Sequence, residues 1–193
     1  QIRMKIRGQE NEISAGDYIM VVKNNYYWLK ENSTAGFIAN GDICEVLKIF
    51  SIKELYGFKF AEVAVRMIDY PEMPPFETVL LLDTLTSETP SLTYEESNKL
   101  YQAIKEDYAH EKSKSKQFLA IKKNVFFNAL QVKFSYAMTC HKSQGGQWKT
   151  VFIEQPYLPE GVSKEYFRWL YTALTRAQEK LYLIGFKDDF FVD

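Results

Sequence analysis

The sequence predicts an α/β fold with a small β-barrel and a helical segment inserted into it, on three observations. From residue 131 onward, strand-like and helix-like segments alternate, the pattern of a parallel sheet with crossover helices. Residues 37–85 hold β-prone runs separated by turn residues, enough for a small barrel. Residues 91–130 change to helical spacing. The expected division is discontinuous. Residues 1–36 and 131–193 form the α/β body, and 37–130 form the insert, with its barrel at 37–88 and its helices at 91–130.

Tyr18 to Val22 reads as a buried strand that ends on the polar Lys23, Asn24 and Asn25. Asn40-Gly41 is a tight-turn signal between β-prone runs. Along 58–70 the apolar positions alternate, first Phe58 and Phe60, then Val63 and Val65. A further apolar run covers 77–85, and the Pro-rich 69–77 is a loop, so 37–85 offers four or five short strands. Leu100, Ile104 and Tyr108 repeat at helical spacing, with Ser91, Tyr94 and Glu95 as a loose capping region. The polar run "HEKSKSKQ" marks a break between two helices.

In the last third, 133–138 reads as a strand and 139–146 as a turn plus a short helix closed by Gly145 or Gly146. Residues 150–154 read as a strand and 163–180 as a helix with Ser163 at its N-cap. Phe167, Leu170, Tyr171 and Leu174 give that helix an apolar face, and 181–186 is the final strand.

Composition narrows the function. Hydrophobic residues make up 46% and aromatics 16%, enough to bury a core. The net charge of −1 gives no global basic field, so a nucleic acid must be held by a local patch. Cys44 and Cys140 stand in no CxxC or zinc spacing and fit a reducing cytoplasm better than a disulfide. No apolar run approaches the roughly 20 residues of a membrane helix, and the start has no signal-peptide core. It also lacks an initiator Met, so the chain is expected to be a piece of a longer protein.

The polar stretch Thr139, His141, Lys142, Ser143, Gln144, followed by Gly145 and Gly146, is the first candidate site. Past the carboxyl end of a parallel strand, such donors suit a phosphodiester or nucleotide phosphates; the alternative is a solvated, capped turn. No metal is expected. Thr172, Thr175 and Arg176 are the second candidate: either a charged fork for a phosphate, or an arginine paired with Glu179 or Asp188. The lysines at 112, 114, 116, 122 and 123 form a local basic stretch that a solvated helix face explains better than a DNA groove. Tyr26, Tyr27 and Trp28 could either stack bases or pack internally. A phosphate-cradling GxxxxGK[ST] is missing. Its nearest match, "GFIANGDI", has Asp42 where the lysine is needed, and Asp83 reads as a strand-ending acid rather than a metal ligand. The chain alone is not expected to hydrolyse a nucleoside triphosphate.

Together these segments resemble a known family. "YAMTCHKSQGGQW" resembles motif V of superfamily 1 DNA helicases in the version of RecD-like enzymes, the type of the exodeoxyribonuclease V alpha subunit. "LYTALTRAQEKLYLIGF" resembles their motif VI, and 16–47 resembles the segment that enters a small Src-homology-type (SH3-like) barrel. The resemblance implies the second of two RecA-like motor domains, carrying that barrel, with the P-loop on a domain upstream of Gln1. It implies ATP and Mg²⁺ in the intact enzyme, held mainly by that upstream domain. It also implies single-stranded DNA and the upstream domain as partners, with nuclease or repair subunits as further candidates.

Residue by residue, Arg176 matches the arginine finger, and Thr139, His141 and Lys142 match the start of motif V, which contacts the single strand or couples it to ATP. With Ser143, Lys23 and Asn24 they make up the expected DNA-binding set. Gln144 and Gly145 match the turn toward the nucleotide. Gln147 stands where UvrD-type relatives carry a glutamate on the nucleotide sugar, so the charge is lost there. Tyr171 is read as packing. The expected function is the C-terminal part of an ATP-dependent helicase in the cytoplasm, and the alternative is a non-catalytic binding module derived from one.

Overall fold

A computed structural model of the protein describes residues 2–29, 34–159 and 161–191. Residues 30–33, inside the segment that resembles the barrel entry, lie outside the described residues. The chain divides into two compact units, 1–136 and 137–193.

The first unit is a closed five-stranded barrel: β1 (Tyr18–Val21), β2 (Ile43–Leu55), β3 (Phe58–Met67), β4 (Phe76–Leu81) and β5 (Leu130–Phe134) in that order. All pairs are antiparallel except β4–β5, which is parallel. This corrects the expected division at 37 and 130. The strands at 18–21 and 130–134, assigned to the α/β body, close the barrel. Residues 37–85 contribute three strands to it, not four or five. A barrel needs every edge paired, and the short β1 supplies both remaining partners, pairing with β2 through Ile19↔Cys44 and with β5 through Ile19↔Phe134.

The two phases of β3 have separate causes. Ala61, Val63, Val65 and Met67 point into the barrel with Ile19, Val21, Val46 and Val132. Phe58 and Phe60 point the other way, onto a second core with Val79, Leu81, Leu100, Ile104 and Ile121. That outer core is roofed by helices α3 (Tyr94–Asp107) and α4 (Lys114–Lys123), and the polar run between them is the expected break. The cap of α3 is Thr93, not the Ser91 region: its hydroxyl accepts from Glu96 N–H while the Glu96 carboxylate accepts from Thr93 N–H. These bonds hold the Glu96 carboxyl below its ordinary value.

The β2–β3 hairpin turns on Tyr56 (φ 57°) and Gly57 (φ 74°), both left-handed, as a two-residue turn that matches strand twist requires. The Tyr56 hydroxyl donates to Asp107 at the end of α3, and burial first, then that acceptor, push the phenol up to about 12. The expected Asn40-Gly41 turn lies just before β2, where Asp42 accepts from Ala39 N–H at 2.7 Å. Asp83 opens the short helix α2 (Asp83–Thr86) and accepts from Lys59 N–H, a strand-tying role. The segment before β1 carries a short helix, α1 (Ile2–Arg7).

The second unit holds β6 (Trp148–Glu154), helix α5 (Lys164–Leu174), β7 (Ala177–Ile184) and a 3-10 turn at Asp188–Phe190. Among the described residues it has a two-stranded parallel sheet, β6–β7, and not the expected three-stranded succession, because 130–134 pairs within the barrel. The helix expected at 163–180 stops at Leu174, since residues from Ala177 pair with β6 from Trp148 onward. Ser163 caps it, accepting from Tyr166 N–H. Its expected apolar face is not buried: Phe167 is 58% and Tyr171 71% exposed, and Tyr166 and Ala173 are the buried positions. A two-stranded sheet is too narrow to cover the stripe. The packing role read for Tyr171 is corrected accordingly. Phe152 and Tyr182 likewise stack on each other at 4.8 Å on an open sheet face.

Among the described residues no helix is long and apolar enough to cross a membrane. Both cysteines are free; Cys44 is buried in the barrel, where burial and then the charges of Asp42 and Asp69 push its thiol up to about 12. Cys140 is half-buried. Iodoacetamide treatment of the native protein, read by mass spectrometry, is expected to label Cys140 and spare Cys44 until the protein unfolds.

Candidate functional site

The expected strand at 133–138 ends at Phe134, so residues 139–145 do not follow a strand of the β6–β7 sheet, and no helix forms there. They form a coil of successive turns. Lys142 N–H and Ser143 N–H donate to Thr139 carbonyl, Gln144 N–H to His141 carbonyl, and Gly146 N–H to Ser143 carbonyl. Those four amides are thereby consumed inside the turn.

Ser143 is buried, and its hydroxyl donates to Cys140 carbonyl at 2.7 Å. Its side chain holds the turn together, so it is corrected from a surface DNA contact to an internal support. Around this pin the turn exposes Thr139, His141, Lys142, Gln144 and Gly145. Gly145 has φ 87°, a conformation that favours glycine, and a side chain on Gly146 would collide with the Trp148 ring. The two glycines thus bring the chain out of the turn and directly into β6. Gln147 is exposed, and its side-chain oxygen accepts from Gln178 at 3.5 Å. His141 and Gln144 also line a cavity of about 520 Å³ with Cys140, Arg168, Trp169 and Thr172 of α5.

Arg176 connects this turn to the helix. Its Nε donates to Thr172 carbonyl at 2.9 Å, Nη1 to Gly146 carbonyl at 3.1 Å and Nη2 to Thr175 hydroxyl at 3.1 Å. The guanidinium therefore satisfies a carbonyl in the last turn of α5 and clips the glycine exit to it. It pairs with neither Glu179 nor Asp188; Glu179 instead lies 3.7 Å from Lys149. Thr172 and Thr175 spend their hydroxyls on Arg168 and Thr172 carbonyls, so they shape the helix end rather than form a ligand fork. Sequence reasoning placed Arg176 but missed its tie to Gly146, which joins positions 30 residues apart.

Lys23 and Asn24 belong to the first unit, so the expected DNA-binding set is divided between the units. Asn24 accepts from Asn40 N–H at 2.8 Å and donates to the Tyr26 hydroxyl, while Lys23 is exposed.

The turn and the helix that Arg176 latches to it lie in a stretch that resembles a known family. Residues 134–184 match the UvrD-like helicase C-terminal domain family. That stretch contains Thr139 through Gln147 and Arg176. More particularly, 55 residues of the chain are 46% identical to the uncharacterized protein MJ1519 of Methanocaldococcus jannaschii, a match that covers 28% of this chain and 4% of that protein. The crystal structure of Pif1 helicase from Candida albicans is similar with a TM-score of 0.43 and 15% identity, over 92% of this chain and 33% of that one.

Proposed function

We propose that the chain is the C-terminal part of an ATP-dependent superfamily 1 DNA helicase of the RecD-like branch, its second, RecA-like motor domain with the barrel as its insert. The observation that carries this reading is the match of 134–184 to a helicase C-terminal domain over the very residues that Arg176 latches together. Thr139, His141 and Lys142 face the single strand, and Gln144, Gly145 and Gln147 face the nucleotide. Arg176 is the finger that stabilises charge on the departing phosphoryl group. ATP and Mg²⁺ supply that group and its counter-charge, and they are held mainly by an upstream domain with the P-loop. This chain alone is inactive as an ATPase. Its partners are single-stranded DNA, the upstream domain and, in some assemblies, nuclease or repair subunits, in the cytoplasm.

A second reading, a non-catalytic binding module derived from a helicase, is favoured by one observation: three Arg176 N–H groups are already engaged within the chain. ATP hydrolysis by the full-length protein, with and without a single-stranded oligonucleotide, separates the two. Strand-stimulated turnover is expected. A folded protein that hydrolyses nothing in either condition would leave the binding module as the reading.

A further inference from the structure

Helix α4 presents an outward face that the packing of the barrel unit does not use. Its inward side is committed: Ile121 is buried in the outer core, and the Gln117 side chain donates to Tyr108 carbonyl at 2.9 Å. The opposite side centres on Leu119, which is 54% exposed. Residues three and four apart on a helix are surface neighbours, and those of Leu119 include Ser115, Lys116, Lys122 and Lys123, all exposed. Phe118, 45% exposed, extends the apolar spot on the side of Lys122, whose ammonium lies over its ring at 4.7 Å.

The charge of this face has one sign. Residues 112–128 contain Lys112, Lys114, Lys116, Lys122 and Lys123 and no acid, in a chain whose net charge is −1. Among the described residues none of these lysines makes an ion pair.

The helix itself does not call for lysines at its start. Carboxylates favour the first turn of a helix and cations the last. Lys122 and Lys123 obey that rule, but the first turn of α4 holds Lys114 and Lys116 and no acid. The neighbouring α3 does the opposite: its third residue, Glu96, accepts from the N–H of its N-cap, Thr93. In α4 the N-cap Ser113 N–H donates instead to Glu111, ahead of the helix, at 3.0 Å, and the third position is Lys116. Cations kept at the positive end of a helix, around an exposed leucine, form a surface that folding does not account for.

We infer that this face of α4 is a docking surface for an acidic protein segment with an apolar residue, whose carboxylates meet Lys116, Lys122 and Lys123 and whose apolar side chain covers Leu119 beside Phe118. Lysines without acids select an anionic partner, and Leu119 selects an apolar group set between the anions. A polynucleotide fits less well. Bases stack on open ring faces, the ring of Phe118 already carries Lys122, and Leu119 offers no ring. A lipid surface needs a broad apolar stripe, and Ile121 is turned inward. No residue of this face belongs to the turn at 139–146 or to the arginine site, and strand-stimulated hydrolysis by the full-length protein bears on those alone.

The test is fluorescence anisotropy of a labelled aspartate-rich peptide with one central phenylalanine, added to this chain at low salt. Binding is expected. It is expected to weaken about tenfold when the peptide's phenylalanine is replaced by alanine, and equally with Leu119→Gln. Lys116→Glu and Lys123→Glu are each expected to weaken it about fivefold, an effect that shrinks as salt is added. Lys116→Glu is also expected to leave thermal melting unchanged or to raise it, because it puts a carboxylate at the positive end of α4. A fall in melting temperature would make Lys116 a structural residue and remove it from the surface. Absence of peptide binding by the unaltered chain would overturn the inference, as would binding that Leu119→Gln and Lys116→Glu leave intact. Tighter binding of oligothymidine, or of phosphatidylserine–phosphatidylcholine vesicles, lost with the same substitutions, would reassign the face to nucleic acid or to lipid.

Discussion

If the proposed helicase function holds, Arg176→Ala in the full-length protein is expected to lower ATP turnover by about 10³–10⁵-fold and to leave nucleotide binding largely in place. A finger that meets charge only as the phosphoryl group departs contributes to the rate and little to ground-state affinity. The geometry adds a second consequence. The same guanidinium holds Gly146 carbonyl at 3.1 Å and Thr172 carbonyl at 2.9 Å. Three of its five N–H groups are engaged within the chain, and Gly146 is the exit of the turn that exposes Lys142. A group that alternates between phosphate and Gly146 would transmit the state of the nucleotide to that turn. Alanine removes both contacts; Arg176→Lys keeps a charge but loses the planar fork. Lysine is therefore expected to recover little of the rate. Steady-state hydrolysis, nucleotide affinity and thermal melting of the three proteins decide the matter. Hydrolysis by Arg176→Ala close to the unaltered rate would remove the finger role. Equal losses in rate and melting temperature would assign Arg176 to holding the helix end.

The turn between Thr139 and Gly146 was legible as a candidate because its signals are local: polar donors in succession and then two glycines. What it rests on was not. The run before it reads as a strand up to Met138, yet the ladder stops at Phe134, because its remaining partner, β1, begins at Tyr18, whose carbonyl takes the last bond from Ser135 N–H. Parallel pairing of Leu80 with Leu130 joins segments separated by three helices, and no short window of sequence contains both. The barrel was legible in part for the same reason. Alternation at Val63 and Val65 is visible in a short window, as is the shift of phase from Phe58 and Phe60. That the shift marks a second core under α3 and α4 depends on which face each helix covers. The apolar stripe of α5 misled in the opposite direction: spacing identifies an apolar face but not what covers it, and Phe167 and Tyr171 stay exposed.

The largest expected loss of stability lies in a network that no sequence signal marked. Asp17 is fully buried. Its carboxylate takes both oxygens' worth of bonds from Arg3 Nε at 2.8 and 2.9 Å, and further bonds from Ser14 N–H at 2.7 Å and the Tyr136 hydroxyl at 2.7 Å. Arg3 also donates to the Ser14 hydroxyl at 3.0 Å and lies over the Phe134 ring at 4.9 Å. One carboxylate therefore fastens α1, the entry to β1 and the segment after β5. Removing the arginine leaves a buried charge without its counter-charge, which costs about 3–5 kcal/mol, whereas an exposed pair is worth about 0–1 kcal/mol. Arg3→Met keeps most of the stem's packing over Phe134 and isolates the electrostatic part. It is expected to destabilise the protein by that larger amount in denaturant titrations at neutral pH. Adding Asp17→Asn is expected to recover part of the loss, since no charge is then left buried and the amide oxygen still accepts from Ser14 N–H. The coupling is the departure of the double change from the sum of the two single changes. If Arg3→Met lies within about 0.5 kcal/mol of the unaltered protein, as an ordinary surface substitution would, Asp17 is held by Ser14 and Tyr136 alone and α1 is not part of the barrel's cooperative unit.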